Sequence, residues 1–310
     1  MVPGDCANPG NWHRNMASLA KINLCTVSSP DLSLAAKKQQ SLLARLATLD
    51  SLLVALSGGA DSAYLAWAAH RALSERALSV TALSASFSAH DRQHAENFVL
   101  HTRIRHEFVH TGELENPLYV ANNSDRCYFC KAELFTELGR MAERRGFDAL
   151  AYGINADDTQ DFRPGHRAAS EHKVLAPLLD ARMSKAEIRA LSRDAGLPTW
   201  DRPASACLAS RIPYGTAVTR ESLARVEAGE SVLRELGFRQ FRVRYYGSHA
   251  RVEIDRSELA RACQPEVFSA IEAGLLRAGF STFAVDPKGY RQGSLNDELA
   301  GRNHPPTIKD

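Results

Sequence analysis

SLLVALSGGADSAYLAWAAHRAL, residues 51–73, is the stretch whose reading decides the fold. Its first part, SLLVALS (51–57), is a short apolar run that reads as a buried strand. Asp61 to Leu73 has the apolar spacing of a helix. Between them stand Gly58 and Gly59. A buried strand, a glycine turn and a helix start make an anion site, because small residues let the backbone approach a ligand and the first N–H groups of a helix lack intrahelical partners. The hexamer SGGADS (57–62) is neither G-x-x-x-x-G-K-[ST] nor G-x-G-x-x-G. It is therefore not the usual γ-phosphate loop or the dinucleotide fingerprint. A tight turn with Asp61 as an ordinary helix cap is the plain alternative. Asp61 and Ser62, following both glycines after Ala60, favour a nucleotide site.

Outward from this stretch, strands alternate with helices. LAAKKQQSLLARLATL (34–49) is helical, ALSVTAL (77–83) a strand, and 91–103 helical. RHEFV (105–109) is a strand, KAELFTELGRMAERRG (131–146) a helix and DALAYG (148–153) a strand. SKAEIRALSRDAG (184–196) is a helix with a serine cap and a glycine stop. The alternation predicts an α/β fold with an open, mainly parallel sheet. After residue 216 the order becomes α-β-β-α-β, the mark of a smaller C-terminal α+β domain. The predicted division is a flexible extension over 1–33, a nucleotide domain over 34–216, a small domain over 217–286 and a tail over 287–310.

The 310 residues are 44% hydrophobic and 24% charged, which suits one large or two ordinary folded domains. A net charge of +2 gives no global case for nucleic acid. No apolar run is long enough for a membrane span, and the first 30 residues carry no secretory apolar core, so the expected location is cytoplasmic.

Six cysteines are too few and too spread for a disulfide scaffold. Cys127 and Cys130 form a CxxC just before the predicted helix at 131. By itself the pair could be redox-active, ligate zinc or iron–sulfur, or be structural. Four ligands complete a zinc site, and no second CxxC exists. Cys207 is a candidate third ligand, in a proline-rich stretch (197–215) that reads as a structured loop. Cys263 reads as a small buried residue in a helix.

YGINADDTQDFRPG (152–165) crowds Asp157, Asp158, Asp161 and Arg163 at the end of a strand, where ligands of α/β sheets gather. These carboxylates could place magnesium, orient an arginine, or form a solvated loop. Lys185 and Arg189 share a helix face, and Arg211 is a candidate for an anionic substrate. In the small domain Glu227 and Glu230 share a helix face, Arg242 and Arg244 one side of a strand, and Arg251, Glu253 and Asp255 one side of the next.

SGGADS resembles the S-G-G-x-D-S motif of the PP-loop ATP pyrophosphatases, which split ATP into AMP and pyrophosphate. The resemblance implies an adenine nucleotide alpha hydrolase-like (HUP/PP-loop) fold and a magnesium-dependent reaction. It gives Ser57, Gly58, Gly59, Asp61 and Ser62, with Lys185, the pyrophosphate, and Ala85, Ser86 and Phe87 the adenine. Together with NNSDRCYFCKAELF, YGINADDTQDFRPG, APLLDARMSKAEIRALS and PTWDRPASACLASRIPYG, the motif is similar to the LarE family, from about residue 34 through the second domain. That family adenylylates a carboxylate of pyridinium-3,5-dicarboxylate mononucleotide and replaces AMP by sulfur. One family route sacrifices a single cysteine, at the position of Cys207. The other holds a [4Fe–4S] cluster on three cysteines, and Cys127, Cys130 and Cys207 match all three. The resemblance therefore favours the cluster, with a sulfide donor. It also implies homo-oligomers, and Arg244, Glu230 and Glu253 near the substrate. The competing readings are a tRNA-thiolating PP-loop enzyme, which the low charge disfavours, and a non-catalytic nucleotide or iron–sulfur scaffold.

Overall fold

A computed structural model describes residues 31–160, 164–203 and 206–291. Its helices are α1 (Leu32–Ala47), α2 (Ala60–Leu73), α3 (Ala89–Thr102), α4 (Pro117–Val120), α5 (Arg126–Arg145), α6 (Pro164–Glu171), α7 (Pro177–Asp180), α8 (Lys185–Asp194), α9 (Arg220–Glu235), α10 (Leu259–Ala262) and α11 (Pro265–Arg277). Its strands are β1 (Leu52–Ala55), β2 (Ala77–Leu83), β3 (His106–His110), β4 (Ala149–Tyr152), β5 (Phe241–Tyr246), β6 (His249–Ile254) and β7 (Thr282–Val285).

The first four strands form one parallel sheet in the order β3-β2-β1-β4. The chain runs outward from β1 through β2 to β3, then returns to place β4 on the other side of β1. The reversal makes the C-terminal ends of β1 and β4 the natural crevice of the sheet. α2 leaves that crevice as a largely buried helix, with Ala63, Tyr64, Leu65, Ala66, Ala68 and Ala69 all within the core. Its alanines leave room for α1, α8 and the sheet to pack around it. α8 starts on a reciprocal capping box between Ser184 and Glu187, the expected serine cap.

The second sheet has the order β5-β6-β7. β5 and β6 form an antiparallel hairpin that turns through Gly247, at φ +68°, while β7 runs parallel to β6 after the α11 crossover. This α-β-β-α-β unit has its own apolar cluster, built on Leu233, Val243, Val252, Ile271 and Leu275. Two expectations change. α5 begins at Arg126, so the CxxC lies inside its first turns rather than before it. Cys263 is exposed at the C-terminal cap of α10, because that helix is only 4 residues long and stops before Pro265.

Candidate functional site

Gly58 and Gly59 lie between β1 and α2, at the sheet crevice. Gly58 sits at φ +74°, and a Cβ there would meet Arg202 Nη1 at 3.0 Å and the Asp91 carbonyl oxygen at 3.2 Å. Both conformation and space demand glycine. Gly59 caps α2 with no side-chain hydrogen bond, so the positive end of that helix faces the loop. The Ser62 hydroxyl ties the turn together: it accepts from the Ser57 N–H at 3.1 Å, donates to the Gly59 carbonyl at 3.1 Å, and lies 3.0 Å from Ser57 Oγ. Arg202 braces the loop from behind, donating to the Gly58 carbonyl and pairing with buried Asp91. β4 closes against the same turn at Gly153, where a Cβ would stand 2.6 Å from Ser62 Cα and N.

Asp61 faces α8. Lys185 Nζ lies 3.9 Å from its Oδ2, and the Asn155 amide donates to that oxygen at 3.2 Å. Its other oxygen, Oδ1, is buried with no hydrogen-bond partner. Burial holds this carboxyl above its usual range, opposed by Lys185 and reinforced by Asp158. A buried carboxylate oxygen without a donor, beside a second carboxylate, fits a hard divalent cation such as magnesium, which takes oxygen ligands. Asp157 instead accepts from the Lys185 N–H at 2.8 Å, at the start of α8. Arg189 donates to the Arg202 carbonyl at 2.6 Å. Asp161 and Arg163 lie outside the described residues.

Past the end of β2 the crevice meets the cysteines. Ser86 is buried, and its carbonyl accepts from the Leu208 N–H at 2.9 Å, which docks the Cys207 loop onto the segment Ala85–Phe87. Cys207 opens a short turn, Leu208–Arg211. Cys130 and Cys207 pack with Ala85 against the apolar group around buried Tyr119 and Leu208. Cys127, on the same helix, lies 3.9 Å from Arg126 Nη2. Burial opposes the charge of Arg126, yet the neighbouring Cys207, Cys127 and Tyr119 hold its pKa above the ordinary value. Burial pushes the Cys130 thiol well up, helped by Glu113, whose carboxylate it faces at 3.8 Å. Among the described residues no group of three or more His, Cys, Asp or Glu side chains is arranged as a ready metal site. In kind and number the three thiols suit three-cysteine ligation of an iron–sulfur cluster: Cys127 and Cys207 lie near the Arg126 guanidinium, and Cys130 lies within electrostatic reach of both thiols.

The second sheet grips the Cys207 loop. Arg211 forms a buried two-point pair with Glu230, at 2.7 and 3.0 Å, and donates to the Cys207 carbonyl at 3.0 Å. Arg244 pairs with fully buried Glu253 at 2.9 Å and donates to the Ser210 carbonyl at 2.7 Å. These residues thus meet around the loop. Glu227 accepts from the Ala89 N–H at 2.6 Å, joining α9 to α3. Arg251 reaches Glu253 at 3.3 Å, whereas Asp255 accepts from the Ser257 N–H and hydroxyl. A cleft of about 290 Å³ opens between α3, this loop and β5, lined among others by His90, His94, Arg202, Arg234, Arg239 and Arg242. Burial and the Arg234 charge push His90 down to about 4, so its imidazole is neutral at pH 7. Burial and Arg211 hold Arg242 below its ordinary value, the mark of crowded positive charge.

Sequence reading missed Asp91, Asn122, Arg126, Gly153, Asn155 and Arg202. Gly153 and Asn155 stood inside the YGIN motif, and Arg126 beside the CxxC, so their motifs were visible but their roles were not. Asp91 and Arg202 are 111 positions apart and carry no local signal.

No family model matches the chain. It is 39% identical over 262 residues to an uncharacterized protein of Synechocystis, covering 84% of this chain and 98% of that one. It is 31% identical over 266 residues to the pyridinium-3,5-bisthiocarboxylic acid mononucleotide synthase of Lactiplantibacillus plantarum, covering 85% of this chain and 95% of the synthase. An uncharacterized protein of Methanocaldococcus jannaschii is 30% identical over 136 residues, 44% of this chain and 53% of that protein.

Proposed function

The chain belongs to the LarE family, and from that premise we propose that it is an ATP-dependent sulfur transferase acting on a carboxylate of pyridinium-3,5-dicarboxylate mononucleotide. The observation that carries the reading is the union of two chemistries at one sheet edge. A glycine loop follows β1, and beside it in the first turn of α2 stands Asp61, whose buried Oδ1 has no hydrogen-bond partner. A cysteine loop is docked onto the adjacent strand end through Ser86 and Leu208.

In the first step a substrate carboxylate oxygen attacks the α-phosphorus of ATP, and pyrophosphate leaves. The open end of α2 and the Ser57 hydroxyl receive the leaving group, the Ser62 hydroxyl holds the turn in shape, and Lys185 offsets the charge. Asp61 would hold magnesium, which would neutralise charge on the leaving phosphates. In the second step sulfur attacks the activated carbonyl carbon, and AMP departs with the former carboxylate oxygen. The carboxylate alone offers a poor leaving group, and AMP a good one. Cys127, Cys130 and Cys207 would hold a [4Fe–4S] cluster, which would supply an iron carrying the transferable sulfur. The basic cleft at Arg242 suits the phosphate of the mononucleotide. An adenine nucleotide alpha hydrolase-like fold, a separate small domain over 217–286, a homo-oligomer and an external sulfide source belong to the same proposal.

The test is anaerobic incubation of the reconstituted protein with ATP, magnesium and sulfide, with the dicarboxylate mononucleotide and tRNA both offered as acceptors. Pyrophosphate, AMP and a thiocarboxylate product are expected together. Thiolated tRNA as the product, or nucleotide binding without pyrophosphate release, would overturn the reading. Loss of one sulfur from Cys207 after turnover would replace the cluster by cysteine sacrifice.

A further inference from the structure

The described helix α5 carries Cys127 and Cys130, while Cys207 arrives on a loop some 80 residues later. Something must set one against the other. The polar atoms between them converge on Asn122, a fully buried residue in the turn before α5, at φ +54°. Its amide nitrogen donates to the carbonyls of Pro213 and Thr216, both at 2.9 Å, and of Ile212 at 3.2 Å. Its side-chain oxygen accepts from Arg126 Nη1 at 2.5 Å. The same Arg126 nitrogen donates to the Ala209 carbonyl at 2.8 Å. The backbone adds two bonds: the Gly215 N–H donates to the Asn122 carbonyl at 3.0 Å, and the Val218 N–H to the Val120 carbonyl at 2.9 Å.

Six residues after Cys207 are therefore tied to Val120, Asn122 and Arg126, just before and at the start of the CxxC helix. Asn122 tolerates the left-handed backbone that aims its amide at the loop. Its amide must point one way, because Arg126 can only donate to its oxygen. Arg126 is the common member, bonded to Asn122 and the loop and adjacent to Cys127 Sγ.

We propose that Asn122 and Arg126 form a clamp of positioning residues that holds Cys207 against Cys127 and Cys130. The clamp's purpose rests on the sulfur-transfer reading, but its existence does not. The test uses full-length reduced protein without ATP, metal or substrate. Dibromobimane joins two thiols: each loses its proton, each C–Br bond gives way to C–S, and two bromides leave. Peptide mass mapping identifies the joined pair. Wild type is expected to link Cys207 to Cys127 or Cys130, and also Cys127 to Cys130 within the helix. Asn122→Ala should slow the Cys207 link at least tenfold and leave the Cys127–Cys130 link unchanged, and Arg126→Met, which also removes the charge beside Cys127, should lower the ratio of the Cys207 link to the Cys127–Cys130 link at least tenfold, both with native circular dichroism. Arg126→Lys, which keeps the charge but whose ammonium falls short of the position Nη1 holds between the two oxygens, should fall between.

A wild-type rate for the Cys207 link in these variants overturns the proposal. So does an equal loss of both links, which marks general loosening, and so does the absence of any Cys207 link in wild type. If Asn122→Ala does not fold, Arg126→Lys decides alone, and an unchanged Cys207 link in it overturns the clamp. A clamp-dependent link in a protein that transfers no sulfur would refute the proposed function and leave the clamp standing.

Discussion

Gly153→Ala probes the contact that seats the glycine loop on the sheet. A Cβ at this position would stand 2.6 Å from Cα and N of Ser62 and 3.0 Å from the Asp61 carbonyl carbon. Non-bonded carbons settle at about 3.5–4.0 Å, so the end of β4 and the first turn of α2 must part by roughly 1 Å. All three neighbours are backbone, and α2 is held by its buried face, so no flexible side chain can yield. Overpacking of this kind costs about 1–3 kcal/mol. With an unfolding entropy of about 2.1 cal/mol/K per residue over a chain of 310 residues, 2 kcal/mol corresponds to a Tm lower by roughly 3 °C. The effect on chemistry is larger, because a misplacement of about 1 Å in a reacting geometry costs on the order of 10²-fold. Gly139→Ala is the matched control. Gly139 lies within α5, and nothing stands within 4 Å of a Cβ there. That change should raise stability by about 0.5–1 kcal/mol and leave catalysis alone. Thermal melts by circular dichroism and a pyrophosphate-release assay read both variants. A Gly153→Ala protein with wild-type Tm and wild-type pyrophosphate release would refute the packing argument.

Asp61→Asn should abolish most pyrophosphate release while stabilising the protein. The folded carboxyl lies above its ordinary 3.8, so the folded state binds this proton more tightly than the unfolded state. Ionised Asp61 therefore costs stability as pH rises from 3.8 through the raised value, and above it the cost is constant. Urea melts at several pH values should show the variant's advantage opening over that window; a constant difference at every pH would contradict it. Glu230→Gln strands buried Arg211, and breaking a buried pair costs about 3–5 kcal/mol; a melt within experimental error of wild type would show the pair is dispensable. Cys130 should react with iodoacetamide much more slowly than exposed Cys127 in reduced protein at neutral pH, because burial and Glu113 keep it protonated. Peptide mapping over a time course checks this, and equal rates would count against the buried thiol.

Local chemistry wrote much of this protein plainly. The apolar run at 52–55, the glycines after it and the helix from Ala60 were readable because strand burial, turn geometry and helix periodicity each depend on near neighbours. The same holds for the serine cap of α8 and for the β5–β6 hairpin. The three cysteines and SGGADS also announced themselves, as residue types with few ordinary uses together. Tertiary structure alone decided what surrounds them. Arg202 reaches Asp91 and the Gly58 carbonyl across more than a hundred residues, and Asn122 reaches the loop after Cys207 across about ninety. Neither partnership has a period or a spacing, because a buried hydrogen bond depends on where two segments meet, not on the chain between them. The start of α5 shows the same limit on a smaller scale. The CxxC read as lying outside the helix, but contacts around Arg126 draw it into the first turns. Motifs therefore marked the candidate groups, while long-range packing set how close they stand, and the proposed chemistry depends on that closeness.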